Sequence, residues 1–330
     1  MRTPPLRFRL LAVTVLLGCA PAAPASEEAP ARTAPAPPAR ASAALAIDRD
    51  ALLHHVQVLA ADSMEGRALG TPGNARARRY LLEQFRSIGL EPFGGSFEQS
   101  FPVEGSGGSA TGVNLVGRVE GSSGAGPVLV LTAHYDHLGV RDGRIFPGAD
   151  DNASGTAALL VLAAWFAEHP PTHTMIFAAL DGEEGGLRGA RHFVEEPPVP
   201  IERIALNVNL DMVSHSDSLL FAAGTHHYPF LAPYVEEVAP VPPVVLRLGH
   251  DLPGTGSDDW TDASDHGPFH AAGIPFLYFG VEDHPVYHQP GDTYDSIVPG
   301  FFGPAVETIR RILVQLDPAL PRILAARGGA

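Results

Sequence analysis

Apolar runs that are followed at once by His, Asp or Glu constrain the fold of this chain more than any other feature of its sequence. Val128–Leu131 and Met175–Leu180 are continuously apolar, which is expected of strands that are covered on both faces. Segments with helical spacing separate such runs. The sequence therefore predicts an α/β fold, a three-layer sandwich whose mixed, largely parallel central β-sheet is flanked by helices.

The predicted helices and strands alternate along most of the chain. Apolar residues at helical spacing predict a helix that ends near Gly89, a stop signal; they are Tyr80, Leu81, Phe85 and Ile88. Further helices are predicted over residues 154–168 and 306–316. The predicted strands are Asn114–Val119, Val128–Ala133, Thr174–Leu180, Ile204–Leu210, Ser218–Ala222 and Ile274–Phe279.

Composition limits the classes of protein and partner. The chain has 330 residues, of which 45% are hydrophobic, so it can bury a sizeable core. Its formal net charge is -15 with 22 Lys and Arg residues, and a surface that binds nucleic acid needs clustered cations. We therefore expect no nucleic-acid partner. The charge and composition leave the oligomeric state open.

The N-terminal segment has the pattern of an export signal. Arginines precede the short apolar run Leu10–Leu17, which is too short to span a bilayer. The ending Leu-Leu-Gly-Cys19 resembles a bacterial lipobox, with an ordinary cleaved signal or a buried free cysteine as the alternatives. Ala20 after the cysteine favours the outer membrane.

We accordingly expect a signal peptide over residues 1–18, lipidation at Cys19, an Ala/Pro-rich tether over 19–46 and a catalytic domain over 47–330. The expected location is the bacterial cell envelope, on a lipid anchor, facing the periplasm. The anchor would make the membrane a partner. The single cysteine excludes a disulfide within one chain.

Polar residues follow the predicted strands where a sheet of this kind places its ligand sites, beyond the carboxyl ends. Each segment alone has an ordinary explanation, such as a surface pair or an N-cap. Together, acidic and imidazole groups gathered at one edge would repel or stay unpaired without a cation. The segments supply His134 and Asp136, Asp150 and Asp151, Glu183 and Glu184, Asp211, and His284 and His288.

Imidazole and carboxylate without cysteine form a ligand set that suits zinc and tolerates cobalt or manganese. A carboxylate that bridges two ions would make a two-metal site. The adjacent glutamates Glu183 and Glu184 then have separate uses: one binds metal and its neighbour stays free to accept a proton.

Several motifs together resemble the co-catalytic zinc aminopeptidases, the family that includes bacterial leucyl aminopeptidases, aminopeptidase Y and the glutamate carboxypeptidase group. Besides the segments above, they are Leu59–Arg67 (LAADSMEGR), Ser264–Phe269 (SDHGPF) and Tyr287–Thr293 (YHQPGDT). The resemblance covers most of the chain after Ile47. The sequence leaves no room for the inserted domains of larger relatives, so a single-domain form is expected.

The resemblance implies the roles of individual residues. His134 and Asp211 would bind one zinc, Glu184 and His288 the other, and Asp151 would bridge both. Glu183 would be the general base, and Asp136 would hold the far nitrogen of His134. Asp150, Asp265 and His266 are candidates for supporting the ligands, with a structural role as the alternative. His288 is preferred to His284 because its Tyr-His-x-Pro-x-Asp context matches the family.

The implied activity is hydrolysis of the N-terminal peptide bond of peptides with a free N-terminus, using two Zn²⁺, for which Co²⁺ or Mn²⁺ could substitute. Some members carry a tyrosine shortly before the Ser-Asp-His segment, whereas this chain has Asp259–Asp262 (DWTD), so the oxyanion partner is open. Residues that either line a specificity pocket or belong to the core are Met212, Phe221, Tyr228, Phe269 and Tyr278.

Two other functions remain as alternatives. Glutaminyl cyclases resemble this family, keep one zinc and also carry Asp-Gly-Glu-Glu, so Asp181–Glu184 does not discriminate. Gly148–Gly155 (GADDNASG) and the full set of five ligands favour the peptidase. A non-catalytic binding protein on the same scaffold would be expected to lack several ligands.

Overall fold

The computed structural model of the protein describes residues 46–105 and 108–327, which belong to one compact unit. The predicted signal segment, Cys19 and all but the last residue of the predicted tether lie outside these residues. Each described helix is too short or too polar to cross a bilayer.

Eight α-helices form within the described residues. The helices are α1 Arg49–Leu59, α2 Pro72–Ile88, α3 Gly155–Glu168, α4 Arg188–Glu195, α5 Ala232–Glu236, α6 His266–Ala271, α7 Pro299–Leu316 and α8 Leu320–Arg327. The strands are β1 Glu91–Pro92, β2 Glu98–Gly105, β3 Gly108–Val119, β4 Val128–His134, β5 Gly139–Arg141, β6 Arg144–Phe146, β7 Met175–Leu180, β8 Ile204–Leu210, β9 Leu219–Ala223, β10 Val245–Leu248 and β11 Phe276–Gly280.

The large sheet has the order β1-β3-β7-β4-β8-β11-β9-β10, with β2 also paired to β3. Its centre, β7-β4-β8-β11, is parallel, and β9 and β10 also pair in parallel. β3 runs antiparallel to β7, and β9 antiparallel to β11. The predicted fold class, a mixed sheet with a parallel centre, is confirmed.

Alternate residues of the central strands supply two separate cores, because successive side chains of a strand point to opposite faces. In β4, Leu129 and Leu131 join the core beneath α1, α2, α3 and α7. Val128 and Val130 join the core beneath α4 and α6. This double coverage explains the unbroken apolar runs and produces the three layers.

Helix signals in the sequence agree with the structure. The Thr71 side chain accepts a hydrogen bond from the Asn74 backbone at the start of α2, Pro72 is its first residue, and Gly89 ends it at φ 84°. β3 begins at Gly108 rather than Asn114, because Gly- and Ser-rich residues pair with β2. Pairing between strands decides that boundary, and the local pattern does not show it.

Candidate metal centre

Two neighbouring strands deliver the first pair of candidate ligands. His134 is the last residue of β4, and Asp211 follows β8, its parallel partner. His134 Nε2 lies 3.3 Å from Asp211 Oδ1 and 3.4 Å from Asp151 Oδ1. All three residues are buried. Parallel pairing therefore brings together groups that are 77 residues apart in the sequence.

The second group of candidates lies on the other side of the same aspartate. His288 Nε2 lies 3.0 Å from Asp151 Oδ2 and 3.5 Å from Glu184 Oε2. The side chain of Glu184 is 12% exposed and that of His288 is 38% exposed. Asp151 therefore directs one carboxylate oxygen to each group.

The spacing of these donor atoms fits zinc. Ligands at 2.0–2.1 Å around a tetrahedral zinc are ~3.3 Å apart, close to the 3.3–3.4 Å separations in the first group and within the 3.0–3.5 Å range of the second. Neither group contains a Lys or Arg that could neutralise its carboxylates. The donor set, imidazole nitrogen with carboxylate oxygen, is the one that zinc prefers in the absence of cysteine.

The turn that carries Asp151 is held by hydrogen bonds from distant parts of the chain. The Asp292 carboxylate accepts from the backbone nitrogens of Asp150 at 2.9 Å and Asp151 at 3.1 Å. Asn152 Nδ2 donates to the carbonyl of Leu210 at 2.9 Å. Asp292 belongs to the YHQPGDT motif, but its role was missed because a buried aspartate that accepts backbone hydrogens has no local signature.

Arg67 holds the backbone close to His134 and Asp151. Its fully buried guanidinium donates to four backbone carbonyls, those of Leu59, Tyr135, Pro147 and Gly148, at 2.6–2.9 Å. Burial lowers the pKa of Arg67 to about 10, and nearby carboxylates, Asp151 first, oppose that shift. The group therefore remains charged at neutral pH and joins the turn after β4 to the turn before Asp151.

Glu183 stands beside these groups and belongs to neither. Its carboxylate lies 4.0 Å from His134 Nε2, and its side chain is 14% exposed. Burial raises the pKa of Glu183 well above its ordinary value; the charge of His134 opposes this, and Asp211 and Asp265 reinforce it. A buried carboxyl with a raised pKa is a suitable acceptor for a proton from water.

Asp136 makes a contact that differs from the predicted one. His134 Nδ1 is 3.2 Å from the backbone carbonyl of Asp136 and 3.7 Å from its carboxylate. The carboxylate instead accepts a hydrogen bond from the Glu183 backbone nitrogen at 3.1 Å. Asp136 thus contacts two residues of the site. Its backbone carbonyl lies against His134, and its carboxylate holds the backbone of Glu183.

The SDHGPF segment contributes one hydrogen bond to a candidate ligand, one buried carboxyl group and one histidine that contacts the backbone elsewhere. Ser264 Oγ donates to Asp211 Oδ2 at 2.6 Å. Asp265 is fully buried, neither of its oxygens has a hydrogen-bond partner among the described residues, and burial raises its pKa to about 7. His266 faces away, with Nε2 at 2.7 Å from the carbonyl of Trp260.

Asp150 and His284 form a pair of their own. His284 Nε2 lies 3.1 Å from Asp150 Oδ2, and Asp150 Oδ1 accepts from the backbone and the hydroxyl of Ser214. The structure therefore brings His288, and not His284, to Asp151. Asp150 supports the neighbouring backbone rather than facing the candidate ligand atoms.

A cavity of about 300 Å³ opens above the candidate ligands. Among the five residues considered for a specificity pocket, Met212 lines it, whereas Phe269 and Tyr278 are buried in the core. Tyr228 donates to His270 or accepts from it at 2.7 Å, and Phe221 lines a different cavity. The other lining residues are His134, Asp151, Glu183, Glu184, Gly186, Leu187, Asp211, Ala263, Tyr287 and His288.

His137, which the sequence analysis did not identify, lies against Glu184 and Asp151. The residue is 1% exposed, and its Nδ1 atom lies 2.6 Å from Glu184 Oε1 and 3.6 Å from Asp151 Oδ2. The signal available was a second histidine in His134-Tyr-Asp-His137. That second histidine indicates no role in the sequence alone, because its contact with Glu184 depends on how the turn after β4 bends.

These clustered donors at one edge of an α/β sheet form a candidate metal centre. Residues 114–313 match the pattern of "Peptidase family M28". The chain belongs to this peptidase family.

Curated relatives carry peptidase names. Aminopeptidase YwaD of Bacillus subtilis is 32% identical over 180 residues, which are 52% of this chain and 37% of that protein. The "Probable lipoprotein aminopeptidase LpqL" of Mycobacterium tuberculosis is 29% identical over 272 residues, 73% of this chain and 53% of that protein. The chain thus spans between about a third and a half of the length of these relatives.

Solved structures show the same fold. The glutaminyl cyclase of Porphyromonas gingivalis aligns with a TM-score of 0.68 at 20% identity, covering 82% of this chain and 99% of that one. At this level of identity the likeness concerns the fold alone.

Proposed function

We propose that the chain is a zinc-dependent aminopeptidase that hydrolyses the N-terminal peptide bond of peptides. The observation that carries this proposal is the arrangement of four donor residues around one shared aspartate, Asp151. His134, Asp211 and one oxygen of Asp151 would hold one ion, and Glu184, His288 and the other oxygen of Asp151 a second. Co²⁺ or Mn²⁺ could substitute for zinc.

Zinc held by these residues would supply Lewis-acid chemistry, polarising a peptide carbonyl and lowering the pKa of water towards ~7. Glu183 supplies the proton transfer. Its carboxylate, beside the ligands without belonging to either group, takes a proton from the attacking water and passes it to the leaving amine. Asp136 keeps this carboxylate in place through the backbone hydrogen bond to Glu183.

The names of two relatives support a substrate with a free N-terminus, because YwaD and LpqL are both called aminopeptidases. The described residues that line the cavity include Asp151, Glu183, Glu184 and Asp211, and none of them is Lys or Arg. Two Zn²⁺ ions would balance the charge of these four carboxylates, so the preference for an amine follows from the resemblance to these relatives and not from the charge of the cavity. Peptides with a free amine are therefore the proposed substrates, and blocking the amine should prevent cleavage.

The direct test replaces Glu183 by Gln in the full-length chain. The change keeps the size of the side chain and removes the proton acceptor, so release of the N-terminal residue should fall by at least ~10²-fold, within the usual range for a general base. Zinc content should stay as in the unaltered protein. Glu195→Gln, on an exposed residue of α4, is the matched control and should keep full activity.

The same assay separates the alternative functions. An N-terminal glutamine peptide that loses ammonia and cyclises, without release of other N-terminal residues, would replace the peptidase by a glutaminyl cyclase. Folded protein that binds no metal and turns over neither substrate would indicate a binding protein. Full activity in the Glu183→Gln variant would contradict the assigned base.

We also propose that Cys19 carries a lipid and anchors the protein in the bacterial envelope, at the outer membrane and facing the periplasm. The support is the Leu-Leu-Gly-Cys19 pattern and the word lipoprotein in the name of the relative LpqL. Mass spectrometry of the mature N-terminal peptide tests this directly: an acylated cysteine at its first position is expected, and an unmodified Cys19 within a longer peptide would contradict it.

A further inference from the structure

His137 occupies a confined position against the turn that carries Asp151. It follows β4 by three residues, and its side chain is fully buried. A Cβ atom on Gly148 would lie 2.5 Å from two atoms of its ring, so the absence of a side chain at Gly148 allows the ring to sit there. The ring centroid is 5.7 Å from that of His288.

The polar atoms of this ring have no hydrogen-bond partner among the described residues. Nδ1 of His137 and Oε1 of Glu184 are 2.6 Å apart, yet the pair lacks the geometry of a hydrogen bond, and both atoms are buried. A buried donor or acceptor left unpaired costs free energy. Two buried polar atoms that lie this close together and share no hydrogen bond have the arrangement expected of two ligands of one cation.

We propose that His137 Nδ1 is a direct ligand of the metal ion that Asp151, Glu184 and His288 hold. This inference rests on the proposed metal centre and adds a residue to it. Glu184 is then used fully, since Oε2 faces His288 at 3.5 Å while Oε1 faces His137. Asp151 Oδ2 lies within 3.6 Å of the nitrogens of both imidazoles.

A fourth donor makes the two halves of the centre unequal. The half at His134 has three protein donors, an arrangement that leaves an open position, as in catalytic zinc sites. The half at His137 has four, as in closed structural sites. We therefore expect the ion at His137 to bind more tightly and to be the last that a chelator removes, while the half beside Glu183 stays open.

The test compares His137→Ala and His137→Asn in the full-length chain. The Asn amide can place a nitrogen near the position of Nδ1 and donate a hydrogen bond to Glu184, but an amide nitrogen does not bind zinc. If His137 only held Glu184 in place, Asn should restore zinc binding. If His137 is a direct ligand, neither Ala nor Asn at this position should restore zinc binding.

Zinc affinity is measured by competition with a chelator of known affinity. Removal of a group that only orients a ligand costs ~10–100-fold in affinity, so loss of the ligand itself should weaken the tighter ion by more than ~100-fold in both variants. X-ray absorption of the zinc-loaded proteins should also show fewer imidazole donors in both. An Asn variant with unchanged affinity and imidazole count would overturn the inference.

Two controls separate this inference from the proposed function. His288→Ala must weaken the same ion, and His54→Asn, on an exposed residue of α1, must leave zinc binding unchanged. If the unaltered chain binds fewer than two zinc ions, the proposed two-metal centre fails. If it binds two and His137→Asn binds both equally well, only the assignment of His137 fails.

Discussion

Arg67 shows how much one residue can contribute at a distance from the chemistry. Its guanidinium donates to carbonyls at Leu59, Tyr135, Pro147 and Gly148. Tyr135 neighbours His134, and Gly148 lies three residues before Asp151. The planar group with five donors suits this position, because a Lys ammonium has three donors and no fixed fork.

Replacing Arg67 by Met should cost about 3–5 kcal/mol of unfolding free energy, because four buried carbonyls lose their donors at about 1 kcal/mol or more each. Arg67→Lys should cost less, since it retains the charge and some of the bonds. Urea unfolding measures both. Arg79→Met, on an exposed residue of α2, should stay within about 0.5 kcal/mol of the unaltered protein; equal losses at the two positions would contradict this account.

At the scale of elements, the start of α3 packs directly on the ends of β4 and β8. Thr156 Oγ1 donates to the carbonyl of His134 at 2.7 Å, and Gly155 N donates to Asn152 Oδ1 at 2.8 Å. A Cβ atom on Gly155 would meet Asn152 Oδ1 and the Leu210 carbonyl at 2.3 Å. The helix can approach this closely because Gly155 has no side chain.

Gly155→Ala should therefore destabilise the protein by about 1–3 kcal/mol, the usual cost of overpacking, and weaken zinc binding by displacing Asp151 from Asp211. Unfolding free energy and zinc affinity are the two measurements. Gly300→Ala is the matched change near the start of α7, where an added Cβ meets nothing within 4 Å. The Gly300→Ala variant should be neutral or slightly stabilised. A Gly155→Ala variant with unchanged unfolding free energy would contradict the expected steric clash.

At the scale of the whole molecule, the fold concentrates negative charge at one edge of the sheet. The imidazoles compensate in part: the hydrogen bonds that His288 donates to the carboxylates of Asp151 and Glu184 raise its pKa to about 10. For His134, burial alone would lower the pKa, but Asp211 and Glu183 raise it well above its ordinary value. The site thus favours positive charge, whether as protons or as metal ions.

Zinc should consequently stabilise the folded chain. A ligand that binds only the native state adds about 2.7 kcal/mol at a concentration 100 times its Kd, and about 2–4 °C of Tm is expected for each kcal/mol in a chain of this size. Thermal unfolding with zinc and after chelation measures the difference. Mg²⁺ at equal concentration should do little, and the gain should shrink in Asp151→Asn. An unchanged Tm with zinc would contradict the metal centre.

The sequence by itself determined the fold class, most central strands and the residue types gathered at the carboxyl edge. These depend on alternation, apolar runs and turn residues, which act over a few positions along the chain. The choice of His288 over His284 came from a short motif that resembles the family, and His288 Nε2 lies 3.0 Å from Asp151 Oδ2. Each of these features is visible within one stretch of sequence.

The tertiary structure alone decided which distant groups support the candidate ligands. Arg67 reaches the carbonyl of Tyr135 across 68 residues, and Asp292 reaches the backbone of Asp150 across 142. His137 turns towards Glu184 because Gly148 leaves room for its ring. Such contacts depend on how strands and loops pack in three dimensions, and buried polar groups must find partners wherever the packing places them.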